Sequence, residues 1–301
     1  NTGFANVTNS GSITGTAGYG IYAGSDVTVT NNVGGSITGS NTGIYANTGS
    51  ANVTNFGSIA GTGGFGIQVE TNATVINNAG ASIRGVNSGI SSNTGFVNIT
   101  NFGSITGSGG YGIYAGSNAT VTNNAGASIN GGTYGIYANS GGSSIVNAGA
   151  ISGGTASIQF AGVGNILTLA PGSAITGNVF GTGSDTFQLG GTGSATFDVS
   201  QIGAAAQYQG FGTFNKVGNS IWTLTGSSTF IGPINVNGGT LRVNGDVTSA
   251  SGVAVNAGGT LAGTGTVGNT SISGGTFAPG SGTPGSPMAV NGTLGFSAAA
   301  T

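Results

Sequence analysis

The sequence predicts an all-β fold: a single right-handed parallel β-helix with three short strands per coil of about 23 residues. Three observations predict it. First, a Val/Ile-x-Asn triplet recurs at Val7, Val29, Val53, Val75, Ile99, Val121 and Ile145, in steps that alternate between 22 and 24 residues. Second, two further apolar marks keep the same step: Ile13, Ile37, Ile59, Ile83, Ile105, Ile129 and Ile151, then Ile21, Ile44, Ile67, Ile90, Ile113, Ile136 and Ile158. Third, polar and apolar residues alternate with period two around the first mark, as strands require and helices do not.

Self-similarity at a fixed period is the signature of a stacked-repeat architecture. One coil cannot bury its own apolar face, so successive coils must stack. On the first strand Ala5, Val7, Val27, Val29, Ala51, Val53, Ala73 and Val75 share one parity and suit a narrow core. Asn6, Thr8, Thr28, Thr30, Asn52, Thr54 and Thr74 share the other and suit solvent. Gly is 66 of 301 residues, which disfavours helix and suits the bends between strands. With strands ~4.8 Å apart, roughly 13 coils would extend about 60 Å. The recurring Asn (Asn9, Asn31, Asn55, Asn77, Asn101, Asn123, Asn147) ends each first strand. Its amide can bond to the copy one coil above, and it tolerates left-handed backbone, so a structural ladder is expected. Several positions, Asn6, Asn52, Asn72, Asn98 and Asn118, match the Asn-x-Thr glycosylation pattern. The repeat itself generates those matches.

The regular pattern covers residues 1–163. Less regular coils follow over 164–226, including a doublet, Gly181-Thr-Gly-Ser-Asp185-Thr-Phe187 and Gly191-Thr-Gly-Ser-Ala195-Thr-Phe197. A looser repeat occupies 227–301, marked by Gly-Thr-Leu241, Gly-Thr-Leu261, Gly-Thr-Phe277 and Gly-Thr-Leu294.

Composition excludes several functions. Charged residues make up 3% of the chain, with a net charge of −2, and the cations are Arg84, Lys216 and Arg242 alone. No basic patch exists, so nucleic-acid binding is not expected. The chain has no His and no Cys, which removes Ser-His-Asp triads, thiol nucleophiles and His or Cys metal sites. No cofactor and no catalytic residue are expected. Asp26 and Glu70 come close to one repeat column, two coils apart, near the upper separation for an inverting glycosidase pair. Neither has an evident partner in the sequence, and a polysaccharide-active β-helix is the weakest reading. Asp185 sits in a frame similar to calcium-binding nonapeptide repeats, but Ala195 stands where a second Asp should be, so a structural turn is preferred.

Two outward sets are candidate surface-binding residues. The first is the Thr column Thr8, Thr30, Thr54, Thr100 and Thr122, which Ile76 interrupts. β-Branched side chains hold few rotamers, so that face should be flat and preordered. Its lattice is similar to the Thr-x-Thr arrays of ice-binding β-solenoids, the alternative function. The second is Tyr22, Tyr45, Tyr114 and Tyr137, interrupted by Gln68, Ser91 and Gln159. Exposed aromatics can stack on sugars or anchor a partner; a ladder that stiffens the sheet is the simpler reading.

The C-terminal blocks, Phe214-Asn-Lys-Val-Gly-Asn-Ser-Ile-Trp222-Thr-Leu-Thr-Gly226, Ile234-Asn-Val-Asn-Gly-Gly-Thr-Leu-Arg-Val-Asn-Gly245 and Gly274-Gly-Thr-Phe-Ala-Pro-Gly280, resemble the passenger-associated transport repeat of autotransporters, the type V secretion family. The resemblance covers residues 165–301. It implies a surface-exposed structural or adhesive passenger of a Gram-negative bacterium. It also implies secretion through a C-terminal outer-membrane β-barrel of the same polypeptide, and a last segment that folds first and helps draw the rest outward. A host or bacterial surface ligand would be the partner. Signal peptide and barrel are expected outside this span. Trp222, Leu224, Phe230, Ile234, Leu241 and Phe277 are the expected folding seed, since large buried side chains stabilise at ~25 cal/mol per Å².

Overall fold

The computed structural model describes residues 3–283, 285–297 and 299–301. It is all-β, and among the described residues the single helical turn is the three-residue 3-10 segment Val199–Gln201. The strands pair in parallel. The chain divides into two compact units, residues 1–165 with 173–180, and residues 166–172 with 181–301.

The first unit is a three-faced solenoid of seven successive coils. Face one runs from Ala5–Asn9 to Ser144–Asn147, face two from Ser12–Gly15 to Ala174–Thr176, and face three from Tyr19–Ala23 to Ala156–Phe160. Equivalent positions stack in register: Val7 pairs with Val29, Val29 with Val53, Val53 with Val75, Val75 with Ile99 and Ile99 with Val121. Ile37, Ile59, Ile83, Ile105 and Ile129 line the core from face two, and Ile44, Ile67, Ile90, Ile113 and Ile136 from face three; all are fully buried. All three predicted apolar marks thus point inward, and the core is a stack of aliphatic layers.

The Asn ladder forms as expected. Each Asn is the last residue of its face-one strand and is buried. Its Nδ2 donates to Oδ1 of the next copy at 2.8–2.9 Å, from Asn9 through Asn31, Asn55, Asn77, Asn101 and Asn123 to Asn147. At the end, Asn147 donates to Ser173 Oγ at 2.7 Å. Left-handed backbone at Asn is not used. Among the described residues every positive φ belongs to Gly, including Gly34, Gly80 and Gly126 in the bends that follow alternate ladder residues. The Asn side chain must point into the corner to reach its neighbours, and extended strand backbone places it there.

The corner between faces two and three depends on Gly for a different reason. The first seven face-two strands each end in Gly, at Gly15, Gly39, Gly61, Gly85, Gly107, Gly131 and Gly153, none with positive φ. A Cβ at any of them would overlap a carbonyl oxygen of the next strand, that of Tyr111 for Gly107 and of Tyr134 for Gly131. Close backbone approach, and not dihedral freedom, excludes side chains here.

The second unit uses shorter, less regular coils. One five-stranded ladder comprises Ser194–Asp198, Ile221–Thr225, Gly239–Val243, Gly259–Gly263 and Thr276–Pro279. A second runs from Tyr208–Lys216 through Pro233–Val236, Gly252–Asn256 and Thr270–Ser273 to Leu294–Phe296. Its core is aromatic where the first unit's is aliphatic. Phe187 lies 5.0–5.6 Å, ring centre to ring centre, from Phe197, Tyr208, Phe211 and Phe214. Most of these contacts are tilted or edge-on, as ring quadrupoles favour.

Candidate adhesive surfaces

Period-two alternation on face one turns every second side chain to solvent, and the register converts these into columns. Thr8 pairs with Thr30, Thr30 with Thr54, Thr54 with Ile76, Ile76 with Thr100 and Thr100 with Thr122. Thr8 is exposed, and Thr30, Thr54, Thr100 and Thr122 are half-buried beside their neighbours. Ile76 is exposed and breaks the hydroxyl row. The adjoining column alternates, Asn6 with Thr28, Asn52 with Thr74 and Asn98 with Thr120.

On face three the predicted tyrosines fall in one column: Tyr22 pairs with Tyr45, Tyr45 with Gln68, Gln68 with Ser91, Ser91 with Tyr114 and Tyr114 with Tyr137. The structure adds a second aromatic column beside it. Tyr19 pairs with Thr42, Phe65 with Ser88, Ser88 with Tyr111 and Tyr111 with Tyr134. The rings gather into two clusters. Tyr19 stacks on Tyr45 at 4.9 Å and tilts against Tyr22 at 5.4 Å. Tyr111 stacks on Tyr134 at 5.6 Å, and Tyr114 on Tyr137 at 5.8 Å. Burial, and then the neighbouring phenols, raise the Tyr111 hydroxyl above its usual value; Tyr45 is raised by burial, then by Tyr19, Tyr22 and Glu70. The Tyr45 hydroxyl donates to Asn47 Oδ1 at 2.8 Å. The second column was legible in the recurring Tyr-Gly-Ile-Tyr-Ala strands, whose first Tyr sequence reasoning overlooked.

The carboxylates do not assemble. Asp26 precedes Val27, whose column runs through Ala51 to Ala73, so its own column contains Ser50 and Asn72 and not Glu70. Each acid does have a partner, contrary to the sequence reading: Ser50 N donates to Asp26 Oδ1 at 2.8 Å, and Asn93 Nδ2 to Glu70 Oε2 at 2.9 Å. Asp185 is buried, and its carboxylate accepts from Thr182 N at 2.9 Å and Thr182 Oγ1 at 3.2 Å, the bonding of a structural turn. Among the described residues no three His, Cys, Asp or Glu side chains converge on a metal position.

In the second unit Trp222, Leu224, Phe230, Ile234 and Leu241 are buried. Trp222 Nε1 and Ser220 Oγ both donate to the Gly190 carbonyl, at 3.0 and 2.9 Å, so the indole is packed and hydrogen-bonded together. Phe277 is only half-buried and meets Phe296 edge-on at 6.1 Å, a correction to its expected place in the core.

A family profile described as Passenger-associated-transport-repeat matches residues 214–243. The chain is also 41% identical over 80 residues to the adhesin BmaC autotransporter of Brucella suis biovar 1 (strain 1330). Over these segments the chain is similar to autotransporter passengers. The match to the adhesin covers 26% of this chain and 2% of that protein, so the chain spans a small fraction of that relative's length. No solved structure matches it.

The segment matched by the transport-repeat profile holds a residue that sequence reasoning missed. Lys216 is fully buried, in the inward column with Val236 and Val255. Its Nζ donates to the carbonyls of Val217, Gly218 and Gly238, at 2.8, 3.3 and 2.9 Å. Burial pushes its pKa down to about 8. The signal was its parity: Lys216 lies two residues from the buried Phe214 on one strand.

Proposed function

We propose that this chain is a surface-displayed structural and adhesive module of a Gram-negative bacterium, tethered through a C-terminal outer-membrane β-barrel of the same polypeptide. The observation that carries the reading is the transport-repeat match within a unit of parallel solenoid architecture. The likeness to an adhesin autotransporter supports it. The last coils assist export and folding: the buried Trp222, Leu224, Phe230, Ile234 and Leu241 make a compact seed, and burial of large apolar side chains is the main favourable term in folding. The first unit presents rigid faces made of Thr, Asn and Tyr, which lose little side-chain entropy on contact. Attachment and not catalysis is the role assigned.

The test uses the full-length gene product displayed on a surface-expression strain, with attachment to host cells and to neighbouring bacteria as the readout. Display should confer attachment, and Thr54→Lys with Thr100→Lys should weaken it if face one makes the contact. Display without any attachment sinks the adhesive reading. Export that survives replacement of residues 211–301 by an unrelated segment sinks the secretion-assisting one.

A further inference from the structure

Face three carries a built groove at its fourth coil. Along the second aromatic column, Phe65 and Tyr111 flank Ser88, and in the first column Ser91 stands where Tyr45, Tyr114 and Tyr137 stand in other coils. Neighbouring coils show that one ring per coil fits this ladder, with stacked centroids 4.9–5.8 Å apart. The column lacks a ring at Thr42 and at Ser88; in the Thr42 coil Tyr45 stacks on Tyr19, whereas the Ser88 coil carries Ser91 in Tyr45's place and has no ring in either column. The backbones of its flanking coils lie about twice the ~4.8 Å strand spacing apart, room for one flat ring between two others. The resulting groove of about 550 Å³ is lined by Phe65, Asn87, Ser88, Ser91, Tyr111 and Tyr114 with glycine backbone, within the range of small-molecule sites.

A second observation points to a ligand. Ser88 lines this groove, is 1% exposed, and its hydroxyl has no hydrogen-bond partner. A buried hydroxyl left unsatisfied costs ~1–3 kcal/mol, so such groups are rare and call for a partner. No Asp, Glu, Lys or Arg lines the groove, which excludes selection of a charged group.

We propose that this groove binds a neutral pyranose unit of a surface glycan. A pyranose offers apolar C–H faces to the Phe65 and Tyr111 walls and hydroxyls at its rim to Ser88, Ser91 and Asn87. An aromatic peptide side chain would fill the same space but leave those polar groups unpaired. The inference deepens the adhesive reading and rests on it for the glycan being one displayed on a cell.

The experiment presents the purified 301-residue chain to an array of neutral glucose-, galactose- and mannose-based oligosaccharides, with heparin fragments as the charged comparison, and follows hits by saturation-transfer NMR. A neutral oligosaccharide should bind and heparin fragments should not. Ser91→Tyr restores the side chain that neighbouring coils carry at this register, so it should fold normally by circular dichroism while weakening binding more than tenfold. Tyr111→Ala should weaken it comparably. Absence of any neutral hit, or binding unaffected by Ser91→Tyr, overturns the assignment. So does self-association of the chain that Ser91→Tyr abolishes, which would make a second copy the occupant. If the displayed full-length protein still attaches to cells while the array is blank, this site fails and the adhesive reading stands. If attachment is absent as well, the adhesive reading fails too.

Discussion

Replacing Asn77 tests whether the ladder holds the first unit together. Its amide donates to Asn101 Oδ1 at 2.9 Å and to the Ser104 carbonyl at 3.1 Å, and its oxygen accepts from Asn55 Nδ2 at 2.9 Å. In Asn77→Ala the neighbours are not fully stranded. Asn55 Nδ2 keeps the carbonyls of Gly57 and Ser82, and Asn101 Oδ1 keeps the amide of Gly103. Each of the three lost bonds should therefore cost toward the low end of the usual range, ~1 kcal/mol, for a total near ~3 kcal/mol. Asn77→Asp is the sharper change. It keeps shape and acceptor but places a carboxylate against the Asn101 oxygen and the Ser104 carbonyl, so at neutral pH it should cost more than Ala. Those acceptors favour the protonated acid, which raises the folded-state pKa above its unfolded value near 4. The Asp variant should then be most stable below pH 4 and lose stability as pH rises through the folded pKa. Urea unfolding, with hydrogen exchange localised to residues 51–123, measures both. Solenoid units can open separately, so local exchange and not one global midpoint is decisive. An Asn77→Ala loss under 1 kcal/mol, or an Asp variant no worse than Ala at pH 7, would refute the ladder as a stabilising element.

The remaining predictions concern other parts of the chain. The unfolded chain holds the Lys216 proton to about 10.5 whereas the native pKa is about 8, so the second unit should gain stability as pH rises from 8 towards 10, a slope that Lys216→Met removes in urea titrations. Above pH 10 the buried Tyr208, whose hydroxyl burial raises, reverses the trend, because the unfolded phenol then ionises first. Gly107→Ala, which drives a Cβ into the Tyr111 carbonyl, should destabilise by ~2 kcal/mol or more in thermal melts, although its φ is not left-handed. Trp222→Ala should cost ~3–5 kcal/mol and abolish the resistance of residues 211–301 to limited proteolysis; a more resistant 1–160 piece in the parent chain would contradict the folding-seed assignment. Thermal hysteresis should be absent from the purified chain, since Ile76 interrupts the Thr column; a freezing gap abolished by Thr54→Lys and Thr100→Lys would make ice binding the function.

How much was legible differs between the two units. In the first, the spacing of Val7, Val29 and Val53 located the strands, and parity alone placed Thr8 outward and Val29 in the core. The same parity put Lys216 inward, yet charge argued against reading it so; only three converging carbonyls make its burial tolerable, and these come from a bend and an adjacent coil. The Asp26–Glu70 alignment failed for a related reason. Averaging the period hid a two-residue offset that the strand register resolves. Ser91 was read as a gap in a stripe and Ser88 was not singled out, whereas together they line one groove.

The sequence by itself determined the coil, its three faces, the Asn ladder and the residues each face turns inward. It could do so because in a solenoid every residue's main neighbour is its own equivalent one repeat away, so a one-dimensional period carries the pairing. The tertiary structure alone decided what lies between columns and where the period breaks down. The meeting of Phe187, Phe197, Tyr208 and Phe214 and the carbonyl cage around Lys216 each bring together residues with no common spacing. Their proximity follows from how bends of unequal length orient successive strands, which no periodicity records.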